Sequence, residues 1–122
     1  MDLVSITPEY YEFVRELRIH PETRGGFLKD ASITPEQQNK YMEKHGYNYY
    51  ICLLYGRPVG YIGVIDNDIR FCTDPELQGM GIGSFMLSKI QKLYPEATGR
   101  ILKDNIASQR AFDKCGIAYT TL

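Results

Sequence analysis

The chain is 122 residues long, 43% of them are apolar, and its formal charge at pH 7 is −1. This length predicts a single domain with one core, spanning residues 1–122. A charge so close to zero gives no reason to expect nucleic acid as a partner. No segment approaches the roughly 20 apolar residues of a membrane span, so no membrane partner is expected.

Two features indicate a reducing compartment. Residues 1–5 lack the basic and apolar regions of a signal peptide. The cysteines are widely spaced and form no CxxC pair, which is typical of buried, reduced thiols: Cys52, Cys72 and Cys115. We therefore expect a cytoplasmic protein. The two histidines give no metal-ligand spacing, so no metal is expected.

The N-terminal part of the chain predicts one strand and two helices. Residues 3–6 form the strand, and a Thr-Pro-Glu sequence then starts a helix over residues 8–19, whose apolar residues recur at helical spacing. Residues 20–32 are polar, contain proline and glycine, and predict a loop. Residues 34–37 form a capping box that opens a second helix, which ends near Gly46.

The middle of the chain predicts three strands. Two runs rich in tyrosine and β-branched residues, 49–55 and 59–65, form a hairpin through residues 56–58. Residues 66–68 form a second turn, which leads into a strand over residues 69–73.

The C-terminal part predicts two helices and two short strands. Apolar residues form one face of a helix over residues 82–93, which Pro95 ends. The remaining elements are, in order, a strand at 101–102, a helix from Asn105 to its glycine cap Gly116, and a strand at 118–121. The order β-α-α-β-β-β-α-β-α-β predicts a mixed α/β (α+β) layer fold.

A glycine-rich segment, residues 78–84, lies between a strand and the start of a helix. Backbone N–H groups at the positive end of a helix dipole form a site for pyrophosphate. The spacing Gly79-x-Gly81-x-Gly83 does not fit the dinucleotide fingerprint, because the third glycine comes one residue too early. No Gly-Lys-Ser/Thr ends the run, so a Walker loop is excluded too. A turn that only lets strand and helix pack closely is the structural alternative.

Two motifs resemble those of the GNAT family of N-acetyltransferases. The first is Gln78-x-x-Gly81-x-Gly83, similar to the family's loop between the fourth strand and the third helix. The second is Asn105-x-x-Ser108-x-x-Ala111-Phe112-x-Lys114-x-Gly116-Ile117, similar to its fourth helix. The order of elements is also that of the family. The resemblance implies a mostly antiparallel sheet flanked by helices, here with a short C-terminal end, and an enzyme whose cosubstrate is acetyl-CoA.

The resemblance implies which residues hold acetyl-CoA. The pyrophosphate would lie on the backbone of Gln78, Gly79, Met80, Gly81, Ile82, Gly83 and Ser84. A Cβ at the glycines would hold the phosphates away from the amides.

The rest of the cosubstrate is implied in the same way. The pantetheine arm would pair with the backbone of Phe71, Cys72 and Thr73, and the amide near Cys72 or Thr73 would meet the thioester oxygen. Asn105 would bind the pantetheine region, cap the fourth helix, or do both. Arg110 and Lys114 would reach the adenosine 3′-phosphate, unless they are ordinary solvated charges. Ser108 is the last residue that would contact the cosubstrate.

The implied reaction is direct attack of an amine on the thioester. A carboxylate at the start of the fourth strand or a water chain takes the amine proton in the family; Asp68 is the first candidate base and Asp66 the second, although Asp-Asn-Asp is also an ordinary turn sequence. Many family members protonate the departing thiolate with a tyrosine where this chain has Phe112. Ser108 and Tyr119 are the candidate acids in its place. A thiol pKa of about 8.5 makes thiolate a tolerable leaving group even without an acid.

The acceptor is the least determined part of the prediction. Residues 20–30 carry both signs of charge and do not identify a substrate. A small-molecule primary amine is the first expectation, and residues 18–24 resemble family members that act on amino-sugar nucleotides. The alternatives are acetylation of a protein lysine or N-terminus, and a non-catalytic acyl-CoA-binding module, which Phe112 favours.

A final expectation concerns assembly. The short C-terminal end would leave an unpaired sheet edge. We expect a second subunit to cover it, which makes the protein a homodimer.

Overall fold

The computed structural model describes residues 1–20 and 33–122. The elements in chain order are β1 (Asp2–Ser5), α1 (Tyr11–Ile19), α2 (Pro35–His45), β2 (Tyr49–Leu54), β3 (Arg57–Ile65), β4 (Asp68–Thr73), α3 (Ile82–Leu93), β5 (Gly99–Ile101), α4 (Ile106–Cys115) and β6 (Tyr119–Thr121). This order confirms the predicted fold class. Of the predicted loop over residues 20–32, only His20 lies within the described residues.

The helix ends follow their local sequence signals. Thr34 accepts a hydrogen bond from the backbone of Gln37, whose side chain accepts one from the backbone of Thr34, so the predicted capping box is present. Gly116 has a φ of 69° and ends α4 as predicted. At α1 the prediction was incomplete: Thr7 donates to the carboxylate of Glu9, and a short 3₁₀ turn precedes the α-helix.

Both hairpin turns have left-handed backbone. Tyr55 and Gly56 have φ values of 51° and 78°, and Asp66 and Asn67 have values of 52° and 62°. The predicted first turn was displaced, because Arg57 is already paired with Leu54 across the hairpin. Two-residue turns of this hand match the twist of antiparallel strands.

The sheet splits between β4 and β5. Strands β1 to β4 form an antiparallel sheet in chain order, while β5 and β6 form a separate parallel pair. The two sheets meet at one bridge, where the Ile69 amide donates to the Thr98 carbonyl at 2.8 Å and the Thr98 amide donates to the Asn67 carbonyl at 2.9 Å. Beyond Ile69 the two strands separate and leave a gap.

Each face of the four-stranded sheet carries its own apolar core. Helices α1 and α2 cover one face, with a core of Val14, Leu17, Met42, Tyr49, Ile51 and Tyr61. Helices α3 and α4 cover the other, where Ile62, Met86, Leu87, Ile90 and Phe112 are buried. Among the described residues, no helix is long and apolar enough to cross a membrane.

Candidate active site

A cleft of about 800 Å³ opens where β4 and β5 separate. The C-terminal half of β4, the glycine-rich loop, the start of α3, the segment after β5 and one face of α4 line it. Of the fourteen residues predicted to hold acetyl-CoA, thirteen line this cleft, and the exception is Met80, whose side chain is exposed. The fold therefore brings both sequence motifs to one space.

The glycine-rich loop turns the first amides of α3 toward the cleft. Gly81 is the residue before the helix, has a φ of 79° and provides no side-chain cap. The first backbone bond of the helix runs from the Phe85 amide to the Gly81 carbonyl at 3.0 Å. The three preceding amides, of Ile82, Gly83 and Ser84, therefore lie at the positive end of the helix dipole without an intrahelical acceptor.

The three glycines of the loop have two different structural roles. Gly79 and Gly81 have φ values of 85° and 79°, which side chains rarely adopt, and a Cβ at either would meet no protein atom within 4 Å. A Cβ at Gly83 would lie 3.3 Å from the ring of Phe71. The glycines therefore serve the backbone conformation of the loop and the close packing of α3 on β4, in addition to the predicted approach of phosphate.

Alternation along β4 determines which amides face the gap. Because the Ile69 amide points toward β5, those of Phe71 and Thr73 point into the gap beyond it. The amide of Cys72 points toward Tyr61 of β3 instead. Cys72 lines the cleft, but its amide points away from the gap, so the geometry supports Thr73, the other predicted oxyanion donor, and adds Phe71 as a candidate.

Asn105 and the charges of α4 lie across the cleft from the loop. The Asn105 side-chain oxygen accepts a hydrogen bond from the Ser108 amide at 3.3 Å, so the helix-capping alternative is confirmed, and no hydrogen bond within the described residues takes up its NH₂ group. Arg110 and Lys114 line the cleft. So does Lys103, which the sequence analysis missed because the only signal was its position just after β5.

Asp68 is held by two arginines and does not line the cleft. Its carboxylate accepts from Arg100 Nη2 at 2.9 Å and from Arg100 Nε at 3.3 Å, and lies 3.5 Å from Arg70 Nε. The hydrogen bond to this carboxylate raises the pKa of the Arg100 guanidinium. These contacts hold the carboxylate against the arginines and outside the cleft lining, so the position does not support the predicted role as base. Asp66, the second candidate, lies in the exposed turn.

The candidate acids differ in their placement. Ser108 lines the cleft. Tyr119 lies outside it, and its hydroxyl donates to Asp113 at 3.4 Å. Partial burial and this bond raise the pKa of Tyr119, so the geometry does not support Tyr119 as the acid. Phe112 is buried below the gap, with ring-centroid distances of 5.8 Å to Phe71 and 5.7 Å to Tyr119.

The sequence matches the model of the acetyltransferase (GNAT) family over residues 8–117. The fold is similar to a domain from Methanocaldococcus jannaschii DSM 2661, with a TM-score of 0.80, 22% identity and coverage of 94% of this chain and 86% of that chain. It is similar to spermidine N-acetyltransferase from Vibrio cholerae in complex with CoA and spermine, with a TM-score of 0.80, 11% identity and coverage of 94% and 79%. It is also similar to an aminoglycoside acetyltransferase in complex with coenzyme A, with a TM-score of 0.72, 19% identity and coverage of 93% and 82%. A comparison with curated proteins finds no match.

Proposed function

The chain belongs to the acetyltransferase (GNAT) family, and from this we propose that residues 1–122 form one acetyl-CoA-binding domain that acetylates a primary amine of a small molecule. One observation carries the proposal: the cleft gathers the first amides of α3, the outward amides of β4 and the cap of α4 around a single space. Two of the similar structures named above are complexes with coenzyme A.

In the proposed complex, the pyrophosphate lies against the amides from Gly79 to Ser84, where the helix dipole favours negative charge. The pantetheine arm runs through the gap as an additional strand and pairs with the backbone of Phe71 and Thr73. The Thr73 or Phe71 amide donates to the thioester oxygen as negative charge develops on it. The Asn105 amide contacts the pantetheine arm from the other wall.

The chemistry follows from this placement. The amine arrives mostly as ammonium, since its pKa is about 10.4, and loses a proton to water before attack. The nitrogen lone pair then forms the new bond to the thioester carbon, the carbon–sulfur bond breaks, and CoA leaves as thiolate. Ser108 is proposed to relay a proton to that thiolate, giving its hydroxyl proton to the sulfur, directly or through water, and receiving in return the proton that water took from the ammonium. We propose this route in place of a side-chain base, because Asp68 is already bound by arginines.

A small-molecule acceptor is favoured over a protein. The similar structures include enzymes named for spermidine and for aminoglycosides, and an amino sugar is therefore one candidate class. Acetylation of a protein lysine or N-terminus is the second candidate.

Thiol release from acetyl-CoA, measured with a panel of amines and acceptor peptides, tests the proposal. We expect release with small amines, detection of the N-acetyl product by mass spectrometry, and thermal stabilisation by CoA. Stabilisation by CoA without release on any acceptor would indicate a non-catalytic binding module. Release with peptides alone would make the acceptor a protein.

Replacing Asp68 by asparagine distinguishes the water route from a carboxylate base. With an alkylamine acceptor we expect kcat to fall by less than about tenfold, whereas loss of a general base typically costs about 10²- to 10⁴-fold. In the unchanged protein and in Asp68→Asn alike, kcat/KM should rise with pH as the amine loses its proton. Asp66→Asn is the matched control, because asparagine tolerates the left-handed backbone of that turn. A larger loss confined to Asp68→Asn would restore it as the base.

We expect Arg110 and Lys114 of α4 to bind the 3′-phosphate of CoA and no other part of it. In the double variant Arg110→Ala, Lys114→Ala, CoA should bind about tenfold more weakly, because charge-assisted bonds to the 3′-phosphate are lost. Binding of 3′-dephospho-CoA should be nearly unchanged, and calorimetry measures both affinities. Lys92→Ala, an exposed charge of α3 outside the cleft lining, is the control. Equal losses for the two ligands would place the phosphate elsewhere.

We also propose a homodimer formed at the outer edge of β6. Leu122 donates to the Ile101 carbonyl of the neighbouring segment at 2.9 Å, so by alternation the amides of Tyr119 and Thr121 point away from β5. Such an edge is a template for pairing with another chain. Sedimentation at micromolar concentration should show a dimer, and a monomer would remove this proposal.

A further inference from the structure

Two arginines lie beside two tyrosines on the sheet face that carries α1 and α2. Arg70 Nη1 donates to Tyr41 Oη at 3.3 Å, and the hydroxyls of Tyr41 and Tyr49 are 2.7 Å apart. The guanidinium carbon of Arg18 lies 5.6 Å from the centroid of the Tyr41 ring. These four residues come from α1, α2, β2 and β4, so tertiary packing assembles the group. We call them the arginine–tyrosine cluster.

The cluster carries more positive than negative charge. Asp68 is shared by Arg70 and Arg100, so one carboxylate serves two guanidiniums. Arg18 donates to the neutral side-chain oxygen of Gln38 at 3.3 Å. Among the described residues, two guanidiniums therefore share one carboxylate, and Arg18 adds a third positive charge on the same face of the sheet.

Asp68 and Tyr41 fix the direction of the Arg70 guanidinium. They lie at its Nε and Nη1 atoms, and a guanidinium offers five donors in one plane. Within the described residues, the hydrogen bond and the ion pair of Arg70 are at Nη1 and Nε, which leaves Nη2 for a further acceptor. A planar pair of donors matches carboxylate and phosphate oxygens.

The cluster is close to the gap that would hold the thioester. Arg70 immediately precedes Phe71, and its side chain lies on the same face of β4 as that of Cys72, two residues further along. Cys72 packs against the α1/α2 core and also lines the cleft, so it marks where the cleft meets this face. At about 3.3 Å per residue, the α-carbon of Arg70 lies roughly 10 Å from that of Thr73.

We propose that Arg70, supported by Arg18, binds an anionic group of the acceptor, which makes the substrate a small amine that carries a carboxylate or a phosphate. The inference rests on the proposed acetyl transfer. An amine that reaches the thioester from the α1/α2 face places an anionic group a few bonds away within reach of Arg70. The same positive charges disfavour acceptors that carry only cationic groups. Asp68 is then a positioning residue for Arg70 and Arg100.

Matched acceptor pairs test this assignment by thiol release from acetyl-CoA. The pairs are γ-aminobutyrate against butylamine, β-alanine against propylamine, and phosphoethanolamine against ethanolamine, with spermidine as the cationic acceptor. We expect kcat/KM for the anionic member of a carboxylate or phosphate pair to be at least about tenfold higher, since hydrogen bonds to charged groups are the stronger ones. The pair with the larger ratio identifies the anion.

Substitution of Arg70 tests the residue itself. Arg70→Gln should lower the anionic-to-neutral ratio about tenfold or more, and Arg70→Lys should keep part of it, because lysine retains the charge without the planar fork. Arg57→Gln, an exposed arginine of β3 outside the cluster, is the control and should keep the full ratio. Since a ratio is measured, a general loss of folded enzyme does not imitate the result.

The outcomes separate this inference from the proposed function. Release with neutral amines but no advantage for anionic ones would overturn the inference and leave acetyl transfer intact. A preference for spermidine, or equal ratios in Arg70→Gln and Arg57→Gln, would overturn it too. No release with any amine would contradict the proposed function itself, and the inference with it.

Discussion

Replacing Gly81 by valine should weaken acetyl-CoA binding by roughly tenfold to a hundredfold, the range expected when one hydrogen bond to a charged group is lost. Gly81 has a φ of 79°, which a β-branched residue adopts only with strain. The loop would relieve this strain by rotating, and the first amides of α3 would then turn away from the cleft. Calorimetric titration with acetyl-CoA measures the effect.

Gly56 provides a closely matched control for Gly81. Its φ is 78°, and a Cβ there would also meet no atom within 4 Å, but it lies in the hairpin turn between β2 and β3. Both valine substitutions should reduce the free energy of unfolding by about 1–2 kcal/mol. Only Gly81→Val should lose affinity for acetyl-CoA. Equal affinities for the two variants would contradict the role of the loop.

Replacing Gly99 by alanine should destabilise the fold by about 1–3 kcal/mol, the usual cost of overpacking. The added Cβ would lie 2.4 Å from Cε2 of Phe112, a contact that real Cβ atoms essentially never make. The ring cannot easily move, because Phe71 and Tyr119 pack on it. Urea denaturation measures the change in the free energy of unfolding.

Gly46→Ala is the control for this prediction. Gly46 is buried too, has a helical φ of −58°, and a Cβ there would lie 3.6 Å from its nearest neighbours, an ordinary contact. We expect little change, or a small gain from the reduced freedom of the unfolded chain. Equal free energies of unfolding for Gly99→Ala and Gly46→Ala would contradict the tight packing of β5 on Phe112.

The features that the sequence predicted are those with local signals. The capping box at Thr34, the glycine cap at Gly116 and the loop glycines each depend on neighbouring residues. The order of elements then followed, because each segment is bounded by such signals. The first hairpin turn was displaced because a tyrosine in left-handed backbone, as at Tyr55, has no local sequence signal.

The features that were missed depend on tertiary structure. Asp68 has the residue type and position of a base, but its bond to Arg100, 32 residues later, follows from the bridge between β4 and β5. Strand alternation, and not residue type, excludes the Cys72 amide from the gap. The arginine–tyrosine cluster comes from four separate elements, so no spacing along the chain indicates it.

Amide-resolved NMR during titration with acetyl-CoA tests the central claim most directly. The account predicts that the largest shift changes fall on the amides from Gly79 to Ser84 and on those of Phe71 and Thr73, with a smaller change at Cys72. The side-chain NH₂ of Asn105 should shift as well. Changes centred outside this cleft, or no changes at saturating acetyl-CoA, would contradict the account.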